Sequence, residues 1–336
     1  MNSKERFFAA VKGEKADRIP VFPLLMSFAA KRHNINYKTF AQNGSALAEA
    51  QINIFEKYNI DAVSACSDAF RISADLGGDI IFEENSPPHL SQPLVTSEQE
   101  LSDLMKADIL KPGSRTADRV AAVRQMVSAI GNEGMVLGWV DMPFAEACSL
   151  CGVSGFMMMV YDEPELAHRI LSFLTSHVIN FAAAQIEAGA PMMGAGDAAA
   201  SLISPEMYKE FVFPYEQMVC SACHKMGALV KLHICGDTSE LIHTMAQLEA
   251  DLFNVDHLVD FKTAANVYKN AGKAFKGNLN PVADMLQSTP EECVRKTNEC
   301  IENSASGRYI LSAGCEVPAD VSDDVFNAFC SCGSNA

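Results

Sequence analysis

Apolar positions along the chain alternate between two rhythms. Short, nearly continuous apolar runs fall at 18–23, 61–65, 135–140, 190–194, 228–234, 252–256, 274–278 and 308–312. Each reads as a buried strand. Between them lie longer stretches whose apolar residues recur three and four apart, which predicts helices over 44–59, 97–106, 115–131, 143–160, 163–189, 238–248, 261–271 and 290–303. Ser204 and Pro205 open another helix as N-cap and first residue, a further one runs to about Met226, and a last one starts near residue 320. A strand at 79–82 belongs to an excursion that ends in the loop-like Pro87-Pro88 and Gln92-Pro93 region. An N-terminal helical extension occupies residues 1–17; Asn2 and Glu5 are spaced as a capping box, and Lys12-Gly13-Glu14-Lys15 ends the helix.

Strands that alternate with helices predict an α/β protein with a parallel sheet. Eight such units predict a closed (β/α)8 TIM barrel. An open doubly wound sheet is the alternative, but it would carry a glycine-rich phosphate turn after an early strand, and neither GxGxxG nor a Walker motif is present. No linker or low-complexity segment divides the chain, so residues 1–336 are expected to form one barrel domain.

Composition narrows the function. A formal charge of -16 argues against nucleic acid or an anionic membrane surface as partner. No run of about 18 apolar residues is present to span a membrane. Met1 to Arg6 lack the apolar core of a secretory signal. Eleven cysteines in such a chain suggest a reducing cytoplasm, not a disulfide framework.

In a barrel, chemistry sits at the C-terminal ends of the strands. Those ends carry Asp197, then His233, Cys235 and Asp237, then Asp256 and His257, then Asn278 and Asn280, and finally Cys315 and Glu316. His233 and Cys235 are two apart on one strand tip and so share a face. Imidazole and thiolate are preferred zinc ligands. Cys315 is remote in sequence, but a barrel brings it to the same mouth as third ligand. The fourth position is left to water or to a nearby carboxylate such as Glu316.

Other residues have two readings each. Asp197 is a substrate group or a cap for the following helix. Asp256 orients His233 through its second ring nitrogen, or is a satisfied polar residue at a strand end. Trp139 stacks on a ligand or fills core. Asn278 stands at the mouth as a candidate substrate contact. The pairs Cys148/Cys151 and Cys220/Cys223 form metal or redox pairs, or simply share a helix face. Cys330 and Cys332 are expected to be exposed in a polar tail.

His233-x-Cys235 with the distant Gly314-Cys315 resembles the zinc motif of the methylcobamide:coenzyme M methyltransferases, in the uroporphyrinogen decarboxylase superfamily. The resemblance extends to Lys4-Glu5-Arg6-Phe7, Asp17-Arg18-Ile19-Pro20-Val21, Ser204-Pro205-Glu206, Phe213-Pro214-Tyr215 and Gly277-Asn278-Leu279-Asn280-Pro281. It implies a Zn²⁺ enzyme that moves a methyl group between a methylcobamide, carried by a partner corrinoid protein docked over the mouth, and a thiol such as coenzyme M. An alternative is the demethylase half-reaction, from an O- or N-methyl donor to Co(I). Another is decarboxylation of a tetrapyrrole. The decarboxylase branch has an Arg-Gln-Ala-Gly-Arg-Tyr signature near its N-terminus; the matching segment here, Pro23 to Arg32, lacks it and offers only Lys31 and Arg32 as cations.

Overall fold

The computed structural model of the chain describes residues 1–304 and 307–334. The strands in chain order are β1 (Ala62–Ser64), β2 (Ile80–Ile81), β3 (His89–Leu90), β4 (Met135–Asp141), β5 (Met192–Gly196), β6 (Leu229–His233), β7 (Leu252–Asn254), β8 (Ala274–Leu279) and β9 (Tyr309–Ala313). Among the described residues, seven of these form one sheet in the order β1-β4-β5-β6-β7-β8-β9. All its pairings are parallel. β2 and β3 form a separate antiparallel hairpin in the expected excursion.

The expected strand at 18–23 is present only as single parallel bridges, Val21 to Leu311 and Leu24 to Glu316. Pro20 and Pro23 have no N–H to give a ladder, so a regular strand is interrupted there. The segment still occupies the eighth place. Leu311 N donates to Pro20 O at 2.8 Å, Phe22 N to Leu311 O at 2.9 Å, and Asp61 N to Val21 O at 2.8 Å. It therefore joins β9 to the start of β1, and the sheet curls as the (β/α) barrel pattern predicts.

The N-terminal helix runs Ser3–Lys12, with both bonds of the Asn2/Glu5 capping box. It stops short of residue 17 because Gly13 takes φ 75, a left-handed conformation that ends the helix. Phe7, Ala10 and Val11 pack against Phe22, Ala62, Met135, Met192, Leu252 and Ala274. These are residues at the N-terminal ends of the strands, so the helix plugs the barrel's floor and leaves the opposite mouth free.

The apolar stretch 143–160, expected as one helix, is two: Pro143–Cys151 and Val153–Asp162, bent by 108° at Gly152. Gly152 has φ 75, which a helix cannot continue through. Among the described residues no single helix is long and apolar enough to cross a membrane. The helical run after Ser204 is also broken: a π-turn at Tyr208–Val212 precedes Phe213–Lys225, where Pro214 removes one helical donor. The helix expected over 238–248 shrinks to Ile242–Met245. The closing helix, Asp323–Cys332, buries Cys330 and Cys332, so these cysteines are not in an exposed tail. Its inward stripe of Val325, Phe326 and Phe329 sets their side of the helix against the core.

Candidate metal centre at the barrel mouth

β6 is buried along Val230–His233, and its alternation sends Lys231 and His233 to the same side. Cys235 follows two residues later, and Cys315 follows β9 by two. Cys235 Sγ lies 3.0 Å from His233 Nε2 and 3.5 Å from Cys315 Sγ. The three donor atoms all fall within 4.8 Å of one another, and among the described residues no other such His/Cys/Asp/Glu group occurs. Tetrahedral zinc with bonds of about 2.0–2.3 Å would space its ligand atoms roughly 3.3–3.8 Å apart, so the donor set fits such an ion with little movement.

Two backbone devices bring the remote ligand in. Gly314 N donates to Leu279 O at 2.8 Å, and Asn254 Nδ2 donates to Gly314 O at 3.0 Å. A Cβ on Gly314 would lie 2.4 Å from His257 N, so only glycine lets the loop after β9 press against Asp256 and His257. Cys315 is thereby carried to Cys235. A hydrogen bond from Cys235, aided by His233, holds the Cys315 thiol well below its usual range, to about 3. The same sharing pushes Cys235 up.

Asp256 is not an orienting group for His233. Its Oδ2 accepts from Gly236 N and its Oδ1 from Leu258 N, both at 3.0 Å. It fixes the turn that follows Cys235, where Gly236 has φ 94. The second ring nitrogen of His233 faces Asn254 O instead, at 3.5 Å. Asn278 stands one layer back: its Nδ2 donates to Asp256 O at 3.1 Å and Val259 O at 2.9 Å, buttressing the same turn. Glu316 is engaged elsewhere, accepting from Ser27 N at 2.6 Å and Ser27 Oγ at 2.7 Å.

Trp139 is buried in the lumen. Its register partners are Gly194 on β5 and then Lys231 on β6. A Cβ on Gly194 would lie 2.4 Å from the indole, so the glycine makes room for the ring, which reaches to 4.7 Å from Lys231 Nζ. Asp197 neither caps its helix nor joins the three donors. Its backbone N donates to His233 O at 2.9 Å, but neither oxygen of its fully buried carboxyl has a hydrogen-bond partner among the described residues; the charge that acts on it most is that of Glu216, which accepts from Tyr208 Oη. Burial and Glu216 push Asp197 far above the usual carboxylate range.

Several lumen groups were not singled out from sequence. Lys231 and Lys276 are fully buried. Both occupy inward positions of apolar strands, and the i, i+2 spacing of Lys231 to His233 is the signal that points to it. Asp141 ends β4 in register with Gly196 and His233. It is held by Arg71 Nη2 at 3.0 Å, and burial pushes it up to about 6 against that pull. Cys148, Cys151, Cys220 and Cys223 are buried along helices, and burial raises Cys151 and Cys223 to about 12. They are neutral thiols that share helix faces.

The uroporphyrinogen decarboxylase (URO-D) family model matches residues 2–335, and the chain belongs to that family. Its relatives divide between two activities at the same distance. A methylcobamide:CoM methyltransferase MtbA from Methanosarcina mazei is 26% identical over 321 residues, covering 94% of this chain and 92% of the relative. A uroporphyrinogen decarboxylase from Synechococcus sp. is 26% identical over 326 residues, covering 91% and 89%. Among solved structures, a methyltransferase from Methanosarcina mazei superposes with a TM-score of 0.88 at 20% identity, covering 100% of this chain and 99% of that one, which establishes the shared fold.

Proposed function

We propose that this chain is a zinc-dependent methyltransferase that moves a methyl group between a methylcobamide on a partner corrinoid protein and a small thiol of the coenzyme M kind. The observation that carries this reading is the convergence of His233, Cys235 and Cys315 at the mouth. Similarity does not choose between the two activities, because methyltransferase and decarboxylase relatives are equally distant. The donor set favours the first, since decarboxylation has no use for a closely spaced imidazole and two thiols. The cations of the Pro23 to Arg32 segment point the same way. Lys31 is paired with Asp320 and Arg32 with Asp323, so neither is free to hold a polycarboxylate.

His233 gives a neutral nitrogen, and Cys235 and Cys315 give two thiolates, which together balance a divalent charge and leave a fourth position open. Zinc held there supplies a Lewis acid that keeps an acceptor thiol deprotonated at neutral pH. Asn254 O sets the face of the His233 ring, and the Asp256 carboxylate holds the turn that presents Cys235. Trp139 floors the site and excludes water from below. The reading includes a reducing, cytoplasmic setting, in keeping with eleven free cysteines, and the whole chain acting as one barrel domain.

The test combines metal analysis with turnover. Purified protein is expected to carry about one zinc per chain, and Cys235→Ala is expected to lose it. Methylcobalamin with a small thiol should be demethylated, read as the growth of the Co(I) or Co(II) spectrum. Methylation of a Co(I) corrinoid by a methyl ether or methylamine, with no thiol turnover, would assign the demethylase half-reaction instead. Decarboxylation of uroporphyrinogen by metal-free protein would overturn the proposal.

A further inference from the structure

Lys231 stands where a charged side chain is least expected. It is fully buried within β6, two residues before His233 and on the same side of the strand. Its ammonium has no hydrogen-bond partner among the described residues. A buried charge left unpaired is strongly unfavourable, and cores normally replace it with an apolar side chain. The neighbouring lumen lysine shows the contrast: Lys276 Nζ donates to Phe22 O at 2.6 Å and lies 3.8 Å over the Phe22 ring, so its role is anchorage. Lys231 has only the Trp139 ring, 4.7 Å away. Burial pulls its basicity down, and the sulfur groups of Cys66, Cys235 and Cys315 act in the opposite sense.

A divalent ion with two thiolates and a neutral imidazole is neutral. An acceptor bound as its thiolate adds one negative charge. In a water-poor lumen, a nearby positive charge favours that added charge far more than bulk water would.

We propose that Lys231 is a positioning residue for the acceptor: its ammonium, held by the Trp139 ring beneath His233, Cys235 and Cys315, stabilises the extra negative charge of a thiol bound as thiolate. The inference rests on the zinc-thiol reading above. It assigns Lys231 to the charge on sulfur and not to the acceptor's tail, so neutral and acidic thiols should depend on it alike.

The test uses the metal-loaded enzyme, with cobalt replacing zinc so that thiolate binding is read from its sulfur-to-metal absorption. Lys231→Met keeps the length and removes the charge. It is expected to retain its metal, to melt a few degrees higher because an unpaired buried charge is gone, and to bind both 2-mercaptoethanol and 3-mercaptopropionate roughly tenfold or more weakly. Better stability with poorer thiolate binding is a pattern that a merely structural lysine would not produce. Should Lys231→Met fail to fold, Lys231→Gln carries the same comparison. Unchanged affinity for both thiols overturns the proposal while leaving the methyltransferase reading intact. So does a loss confined to 3-mercaptopropionate, which would assign Lys231 to the tail, and so does loss of metal with a lower melting point. If added thiol leaves the wild-type enzyme's sulfur-to-cobalt absorption unchanged, both readings fall.

Discussion

At the scale of single residues, two places where the molecule buries ionisable groups at a cost are the lumen below the mouth and the two carboxyls, Asp197 and Glu216, behind it. Glu216 is the more readily measured. Burial raises it from an ordinary 4.5 to about 7, against the hydroxyl of Tyr208, which acts in the opposite sense. The folded state therefore holds a proton that the unfolded chain has released between those values. The sign follows: the contribution is fully present below about pH 4.5 and is lost as pH rises through about 7. Through Glu216, stability measured in denaturant should fall across that window by about 3 kcal/mol, and Glu216→Gln should remove that part of the slope, leaving the share of Asp197 and Asp141. A profile that Glu216→Gln leaves unchanged would mean that another group carries the dependence. None of this was legible from sequence. Asp197 stands three residues past a short apolar run, which suggests the mouth; only the packing of helix Phe213–Lys225 reveals the second buried carboxyl, Glu216, that acts on it.

At the scale of elements, the legible features are those encoded locally. Alternating apolar rhythm placed all the long strands, and the Asn2/Glu5 spacing placed the first helix cap. His233 and Cys235 were legible because strand periodicity alone puts them on one side. What escaped depends on backbone constraints that a hydrophobic pattern does not carry. Pro20 and Pro23 reduce a strand to bridges, and Gly152 divides a helix whose apolar pattern runs straight through it. The loop after β9 is the element on which the site depends most. Gly314 packs where a Cβ would meet the backbone of His257, so Gly314→Ala must push the loop outward. Cys315 would then move away from Cys235, and metal affinity should weaken by about tenfold or more while the melting point changes little. Competition with a chromogenic chelator reads this directly; unaltered affinity would show that the loop adjusts without moving its cysteine.

At the scale of the whole molecule, the barrel separates what holds it closed from what it does. The seam between the Pro20–Leu24 segment and β1 is fastened from below by Asp61, which is wholly buried. Asp61 accepts from Arg6 at 2.6 Å, from Arg18 at 2.7 Å and from Val21 N at 2.7 Å. One carboxylate thus ties the floor helix, the closing segment and the first strand together. Removing it would strand the buried Arg6 guanidinium with only the half-exposed Asp17 as counter-charge. Breaking a buried pair in this way costs about 3–5 kcal/mol, so Asp61→Ala should unfold at markedly lower denaturant. The mouth lies at the other end of the strands, where its three donors are fixed by Asn254, Gly236 and Gly314, and the closing segment reaches it through the Leu24–Glu316 bridge, not through Asp61. Below its unfolding transition, Asp61→Ala should therefore keep its metal content and its affinity for thiols. Loss of metal in the folded variant would mean that floor and mouth are mechanically coupled, and that closure of the barrel itself sets the spacing of His233, Cys235 and Cys315.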